Sequence, residues 1–467
     1  MITARLKETR DSTDLSWNAA GTPLKKGMAL EIHSDGMITA IREATIPVFR
    51  GEVTGVDGLI IEGNLPGARM GMRVSIIPNR STEVPLAAEI VACDSGAFKV
   101  SLLERMTGIG PGDRIETAPL SNHISCSAKM LGRVVDPLGK PVDGRGDIAD
   151  TEPFALERPA PNPLTRRPVD RQLQTGVRVI DGCLGVGEGQ RMGLFAGPGL
   201  GKSTLIGMLA GQTLCDVNVI CLVGERGREV GAFLRDALGD GGLSRSVVVL
   251  ATADAPPMAR IKALDAATAI SEWFRARSQR VLLLVDSLTR VVRARRELAL
   301  ALGEPPTRGG FPASAFVPLP GLMERTGNGD VGSITAIYTV LTEGKGDDPV
   351  SEEARSLLDG HILLSEKRAG LGIWPAVDIV RSISRVFDDI VSDDVVAAAR
   401  ALKRMLAAYE DNEDLILMGA YRRGTSSDTD RALDKKSEIE AFLRQKKGEV
   451  TRLADTFDAL KRLVDMD

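Results

Sequence analysis

The residues that most restrict how this chain can fold are 191–204, Arg-Met-Gly-Leu-Phe-Ala-Gly-Pro-Gly-Leu-Gly-Lys-Ser-Thr. A short apolar run breaks into a glycine-rich turn and continues into the helix formers Leu205, Ile206, Gly207, Met208 and Leu209, so the segment predicts strand, tight turn and helix. Glycines in such a turn let successive backbone N–H groups point inward. The positive end of the following helix dipole points at the same place, which makes the turn a cradle for phosphate. Gly197, Pro198, Gly199, Leu200 and Gly201 form the turn, Lys202 adds a mobile charge, Ser203 offers a hydroxyl to Mg²⁺, and Thr204 follows in the helix. Ala196 stands where the full pattern has its first glycine, a small change that leaves the Gly197, Pro198, Gly199 bend intact. A site for ATP or GTP is expected.

Two further apolar runs predict neighbouring strands. Val281, Leu282, Leu283, Leu284 and Val285 are apolar without a break, as in a parallel strand buried on both faces, and Asp286 follows. Open α/β sheets bind ligands at the carboxyl ends of their strands, so Asp286 falls where it would hold Mg²⁺ through water as the acidic partner of Ser203. The run 217–223 ends in Gly224, Glu225, Arg226, Gly227, Arg228 and Glu229. Attack of water on a phosphoryl group needs something to orient and polarise that water. A carboxylate at the end of an adjacent strand reaches the γ-phosphate side of the cradle, and Glu225 is the candidate. Glu229 has two readings, ordering the metal's waters or pairing with Arg226 or Arg228, and the whole cluster has a third, a solvated salt-bridge network.

A length of 467 residues suggests two or three domains, and 43% hydrophobic with 26% charged residues is ordinary for a globular protein. A net charge of −4 supplies no basic field and an aromatic content of 4% supplies few stacking platforms, which argues against a nucleic-acid coat. Cys93, Cys126, Cys183, Cys215 and Cys221 form no C-x-x-C pair and read as reduced packing residues; His33, His123 and His361 are too scattered for structural zinc. No apolar stretch is long enough to span a bilayer and residues 1–7 lack a signal core, so a cytoplasmic chain with peripheral membrane contact is expected.

The texture of the chain changes twice. Up to about residue 115, short β-type runs punctuated by glycine and proline predict a small barrel. From about Met130 to Phe387 strands alternate with helical stretches, which predicts a parallel sheet, reached through a proline-rich strap over residues 153–168. Beyond Ser392 the pattern is helical. Val396, Ala399, Leu402, Met405 and Leu406 share one face there, and Ile439, Leu443, Val450, Leu453, Phe457, Leu460 and Val464 form a later seam interrupted by Lys446, for which core packing is the simpler reading and a partner-binding helix pair the other.

With Asp286, Ser287, Leu288, Thr289 and Arg290, and with Gly303, Glu304, Pro305, Pro306 and Thr307, these residues resemble the catalytic-type subunits of rotary ATPases. More narrowly, Pro161-Asn162-Pro163-Leu164, Gln174-Thr175-Gly176-Val177-Arg178, Gly187-Glu188-Gly189-Gln190-Arg191, the run 332–341 and Leu358-Asp359-Gly360-His361-Ile362 are similar to the ATPases of type III protein secretion systems, injectisome and flagellar. The resemblance spans roughly residues 50–445. It implies an α/β fold with an N-terminal β-barrel domain (1–115, oligomerisation and regulation), a central RecA-like P-loop domain with a mainly parallel sheet (116–387), and a C-terminal helical domain (388–467, stalk and cargo contacts).

Residue by residue, the resemblance implies that Lys202 binds phosphate, Ser203 and Asp286 serve the metal, Glu225 is the catalytic carboxylate and Arg226 its charged neighbour. Trp374 stands where the family packs an aromatic on adenine, and Arg385 matches an arginine finger supplied by the adjacent subunit of a homohexamer. The implied substrate is ATP with Mg²⁺. The implied partners are a central stalk protein, a stator-like regulator, export-gate components and chaperone–cargo complexes at the inner membrane, without nucleic acid. Two departures stand out: Gly309 occupies the place of an arginine, one position after Arg308, and Arg295 replaces a frequent glutamine. The loop 344–349 also differs in charge order and reads as a subunit contact or a mobile stretch. A catalytic subunit of an ion-translocating rotary ATPase is the alternative, and a hexameric RNA helicase or a nucleotide-holding module without hydrolysis are more distant ones.

Overall fold

The computed structural model describes residues 48–79, 84–94, 97–105, 108–118, 122–342 and 348–466. Residues 1–47, with His33, and most of the 344–349 loop lie outside the described residues.

Six strands, β1 (Arg50–Asp57), β2 (Ile60–Asn64), β3 (Arg73–Ile77), β4 (Leu86–Asp94), β5 (Ala97–Leu102) and β6 (Arg114–Thr117), close an antiparallel barrel in the order β1-β2-β5-β4-β3-β6. Its interior is filled by inward residues of the alternation, among them Val53, Ile61, Val74, Ile76, Phe98, Val100 and Ile115. Strand β6 runs on to Thr117, past the boundary expected at residue 115. Cys93 is exposed on the barrel, unlike the other cysteines, so it is not the packing residue its sequence context suggested.

The central sheet contains β7 (Arg133–Val135), β8 (Arg191–Ala196), β9 (Val217–Glu225), β10 (Ser246–Thr252), β11 (Arg280–Asp286), β12 (Ser333–Leu341), β13 (Gly360–Leu363) and β14 (Ile383–Ser384). They lie in the order β14-β13-β8-β12-β11-β9-β10-β7, parallel throughout except for β14. The crossovers include α2 (Lys202–Gln212), α3 (Pro257–Arg275) and α4 (Leu288–Ala301), while α1 (Arg178–Cys183) precedes β8. Alternate strand residues go to opposite faces: Leu194, Ile220, Leu222, Leu282 and Leu284 to one core, Phe195, Val219, Cys221, Val281 and Leu283 to the other. Both faces are covered, which explains the unbroken apolar runs in the sequence.

The helical end comprises α5 (Asp393–Asp411), α6 (Ser427–Asp434), α7 (Lys436–Leu443) and α8 (Leu453–Leu463). Val396, Ala399, Leu402 and Met405 of α5 are buried as their spacing predicts. The later seam is not continuous. The chain turns between α7 and α8, where Gly448 adopts a φ of 87° and the Glu449 carboxylate accepts the Lys446 N–H at 3.0 Å, leaving Val450 exposed. Residues of α5, α7 and α8 share one core with α1, α2 and a face of the sheet. Among the described residues no helix is long and apolar enough to cross a membrane.

Candidate active site

Strand β8 ends at the buried Ala196, and the turn that follows places Gly199 and Gly201 at φ of 75° and 77°, the region that favours glycine. At Gly201 a second constraint applies, because a Cβ there would sit 2.7 Å from Cζ3 of Trp374. Gly201 is the N-cap of α2 without any side-chain cap, so the N–H groups of the first turn are not engaged by one. Leu200 is buried beneath the turn while Pro198, Ser203 and Thr204 are exposed on it, and Gly197 is half-buried.

The carboxyl ends of β8, β9 and β11 bring three charged groups together. The Lys202 ammonium contacts the Asp286 carboxylate and lies 3.9 Å from Glu225. Thr339 on β12 donates to Asp286 Oδ1 at 2.9 Å, fixing that carboxylate from the neighbouring strand. In the β9–β11 register Asp286 stands opposite Leu222, so Glu225, beyond an irregularity after Val223, projects farther out along the cradle. Arg290 in the first turn of α4 donates to the Gly224 carbonyl and pairs with Glu225 at 3.3 Å. Burial, together with the negative charge of Asp286, raises the Glu225 pKa to about 7 against the pull of Lys202. Glu229 is held below its ordinary range by its hydrogen bond with Glu225 and by Arg226 and Arg228, at 3.5 and 4.0 Å.

Among the described residues no group of three or more His, Cys, Asp or Glu could hold a metal ion by itself. A nucleotide-bound Mg²⁺ does not need one, because phosphates and waters fill most of its octahedron. The exposed Ser203 hydroxyl in the first turn of α2 and the Asp286 carboxylate, drawn to the cradle by Lys202, are the donor set such an ion takes from protein.

Beside the turn lies a cleft of about 640 Å³, lined by Gly201, Leu205, Met208, Trp374, Pro375 and the loop 444–449 among others. Trp374 is 40% exposed and lines this space. Arg385 is placed elsewhere. Its N–H donates to the Asp359 carbonyl, and the Asp359 N–H donates to the carbonyl of Arg191, so Arg385 lies level with the start of β8. At about 3.3 Å per residue, the cradle beyond Ala196 begins about 16 Å farther along the strand. Arg385 is exposed and forms no ion pair among the described residues; Asp388, which lines the same small cavity, is engaged by Arg400 at 2.6 Å. Arg308 pairs with Glu352, while Gly309 adopts a φ of 58°.

Arg290, Thr339 and the 444–449 loop were not assigned roles by sequence reasoning. Arg290 carried a signal, as a charged residue within the run that follows Asp286. Thr339 carried none, since a threonine in a buried strand is unremarkable until its partner 53 positions away is known.

A family model described as the ATP synthase alpha/beta family, nucleotide-binding domain, matches residues 176–384, and one described as the T3SS EscN ATPase C-terminal domain matches 391–462. The chain is 41% identical to a type 3 secretion system ATPase of Sinorhizobium fredii, over 95% of this chain and 97% of that protein. It is 42% identical to a flagellum-specific ATP synthase of Treponema pallidum, over 91% and 96%. Among solved structures it is similar to the assembled ATPase EscN from the type III secretion system of enteropathogenic E. coli, with a TM-score of 0.83 and 39% identity over 89% of this chain and all of that one. The same ATPase in complex with its central stalk EscO matches with a TM-score of 0.82 and 38% identity over the same shares. With its phosphate-binding turn, the carboxylates gathered beside it and likeness over nearly the whole length, the chain belongs to the family of type III secretion and flagellar export ATPases.

Proposed function

We propose that this chain is the ATP-hydrolysing motor of a type III secretion or flagellar export apparatus, working at the seams of a homohexamer. Lys202 and the N–H groups of residues 199–202 bind the phosphates, and Trp374 stacks on the base. Ser203 and, through water, Asp286 would hold Mg²⁺, which when bound with ATP neutralises charge on the transferring phosphoryl oxygens. Glu225 orients the attacking water and accepts its proton, with Arg290 and Arg226 setting its charge balance and Glu229 sharing its hydrogen bond.

The observation that carries this reading is the placement of Arg385 level with the start of β8, at the far end of the strand from its own Lys202. A guanidinium so placed serves a site only in a neighbouring copy, as the last positive group around the γ-phosphate. The match of the helical end to the EscN C-terminal model favours export over ion translocation. By the same likeness the exposed Leu415, Leu417 and Met418 at the tip of that end are offered to a central stalk protein. Residues 1–115 serve oligomerisation and regulation, and the rest of the helical end meets chaperone–cargo complexes; a stator-like regulator and the export gate at the inner membrane are the further partners of the apparatus.

Mixing variants tests the shared site. Glu225→Gln and Arg385→Ala should each be nearly inactive, whereas an equimolar reassembled mixture should recover activity at about a quarter of its seams, where an intact Glu225 meets an intact Arg385. A mixture no more active than its components sinks the proposal that Arg385 acts across the seam.

A further inference from the structure

The cleft beside the phosphate-binding turn has two walls from distant parts of the chain: Trp374 with Pro375, and the loop between α7 and α8. Gln445 joins them. It is 5% exposed, and its backbone N–H donates to the Trp374 carbonyl at 2.8 Å. Its side-chain oxygen accepts the Arg178 N–H at 2.7 Å, and its side-chain nitrogen donates to the carbonyls of Gly176 and Glu449 at 2.7 and 2.6 Å. The amide orientation follows from its partners, one donor on the oxygen side and two acceptors on the nitrogen side. With both its N–H bonds spent inside the protein, this amide donates none to a base.

The anchor on the other side is firm. Gly176 has a φ of 75°, a Cβ there would lie 2.9 Å from Cβ of Gln212 at the end of α2, and its N–H is held by the buried Asp181 at 2.9 Å. Gln445 therefore ties both walls of the cleft to a turn packed on the end of the phosphate-binding helix. The loop has contacts of its own: Lys446 and Glu449 bond each other through backbone and side chain at 3.0 Å, and Glu449 pairs with Arg178. The backbone N–H of Gln445 keeps the loop at Trp374, while its side-chain amide, with the Glu449–Arg178 pair, seats the loop on the Gly176 turn.

We propose that Gln445 is a positioning residue for nucleotide binding, its amide seating the 444–449 loop on the Gly176 turn as one wall of the cleft that Trp374 lines, so that affinity for the base, and not for the phosphates, depends on that amide. The inference rests on the assignment of this cleft to the base. Replacing the amide leaves the Arg178 N–H and the Glu449 carbonyl without this partner, while Thr451 still bonds the Gly176 carbonyl and the backbone bond to Trp374 remains; the loop loses its seat on the turn and the cleft wall it forms shifts about the Trp374 bond. The phosphate-binding turn forms none of these bonds and is untouched.

The test uses the full chain and two ligands matched in phosphate content, ADP and inorganic pyrophosphate, with affinities measured by calorimetry. Gln445→Met, which keeps the length of the side chain without its hydrogen bonds, should weaken ADP by about two- to tenfold, the worth of one aromatic stacking contact. Pyrophosphate affinity should stay unchanged, KM for ATP should rise with kcat preserved, and the nucleotide-dependent fluorescence of Trp374 should shrink. Equal weakening of both ligands, or ADP binding as tight as in the unaltered protein, overturns the proposal. Should Gln445→Met fail to fold, Gln445→Asn, which keeps an amide too short to reach the Gly176 turn, carries the same two outcomes. Trp374→Ala separates the layers: unaltered ADP affinity there removes the base assignment itself, whereas weakened ADP there with an unaffected Gln445 variant removes only the positioning role.

Discussion

Glu225 is the residue on which the proposed chemistry turns. Its carboxylate sits between the Lys202 ammonium and the Arg290 guanidinium, with Asp286 and Glu229 as competing anions, and burial raises its pKa to about 7. A carboxylate so tuned accepts a proton readily near neutral pH yet is half protonated there. Because the base form is the deprotonated one, kcat should rise with pH through an inflection near 7 and level off above it. Glu225→Gln should lower kcat by roughly 10²- to 10⁴-fold with ATP binding retained, and a Gln variant that turns over normally would take Glu225 out of the mechanism. Arg290 and Thr339 belong to the same scale. Each supplies one contact that fixes a carboxylate, and of the two only Arg290, a charged residue in the run after Asp286, left a signal in the sequence.

Between elements, the contact that most constrains the architecture joins the barrel to the nucleotide-binding part. Glu89 on β4 and Lys262 on α3 meet at 2.9 Å, both buried, and Asp265 and Glu157 each lie 3.7 Å from the same ammonium. Burial works against the Lys262 charge, but the surrounding carboxylates hold its pKa above the ordinary value; burial likewise raises that of Glu89. Arg295, the departure from the expected glutamine, faces the same three carboxylates, which gives the substitution a physical reason. Leu103, Met258, Ile261 and Ala294 form the apolar part of this junction. Lys262→Met should cost about 3–5 kcal/mol in urea unfolding, because it strands Glu89 in a buried setting. Adding Glu89→Leu should return most of that loss, since a buried pair is often replaceable by apolar residues. A single variant as stable as the parent would mean the pair carries no weight.

For the whole molecule the consequence is assembly. With Arg385 serving the neighbouring copy as proposed, a protomer that keeps Lys202 at one end of its sheet and Arg385 near the other needs a partner to complete its site, so specific activity should climb with protein concentration over the range where rings form. Sedimentation run alongside the rate measurement checks it; a rate per protomer that stays flat while the protein is monomeric would contradict the shared site. The helical end matters at this scale too. It shares its core with α1, α2 and one face of the sheet, and its 444–449 loop borders the cleft beside the phosphate-binding turn.

Local pattern alone determined the phosphate-binding turn, the strands before Glu225 and Asp286, the barrel and the first long helix of the helical end. In each, the informative residues lie within a dozen positions of one another and the required backbone admits few residue types. At the final seam Lys446 interrupts the apolar spacing, but only the structure shows the backbone turning there, at Gly448, while Ile439, Leu443, Leu460 and Val464 pack in the core as expected. What only the tertiary structure decided are the long-range pairings. Gln445 meets Gly176 across 269 positions and Thr339 meets Asp286 across 53, and register alone separates Arg385 from its own cradle. A hydrogen bond between common residues leaves no trace in sequence, because its geometry exists only after the sheet has set the register and the core has fixed the distance between the segments.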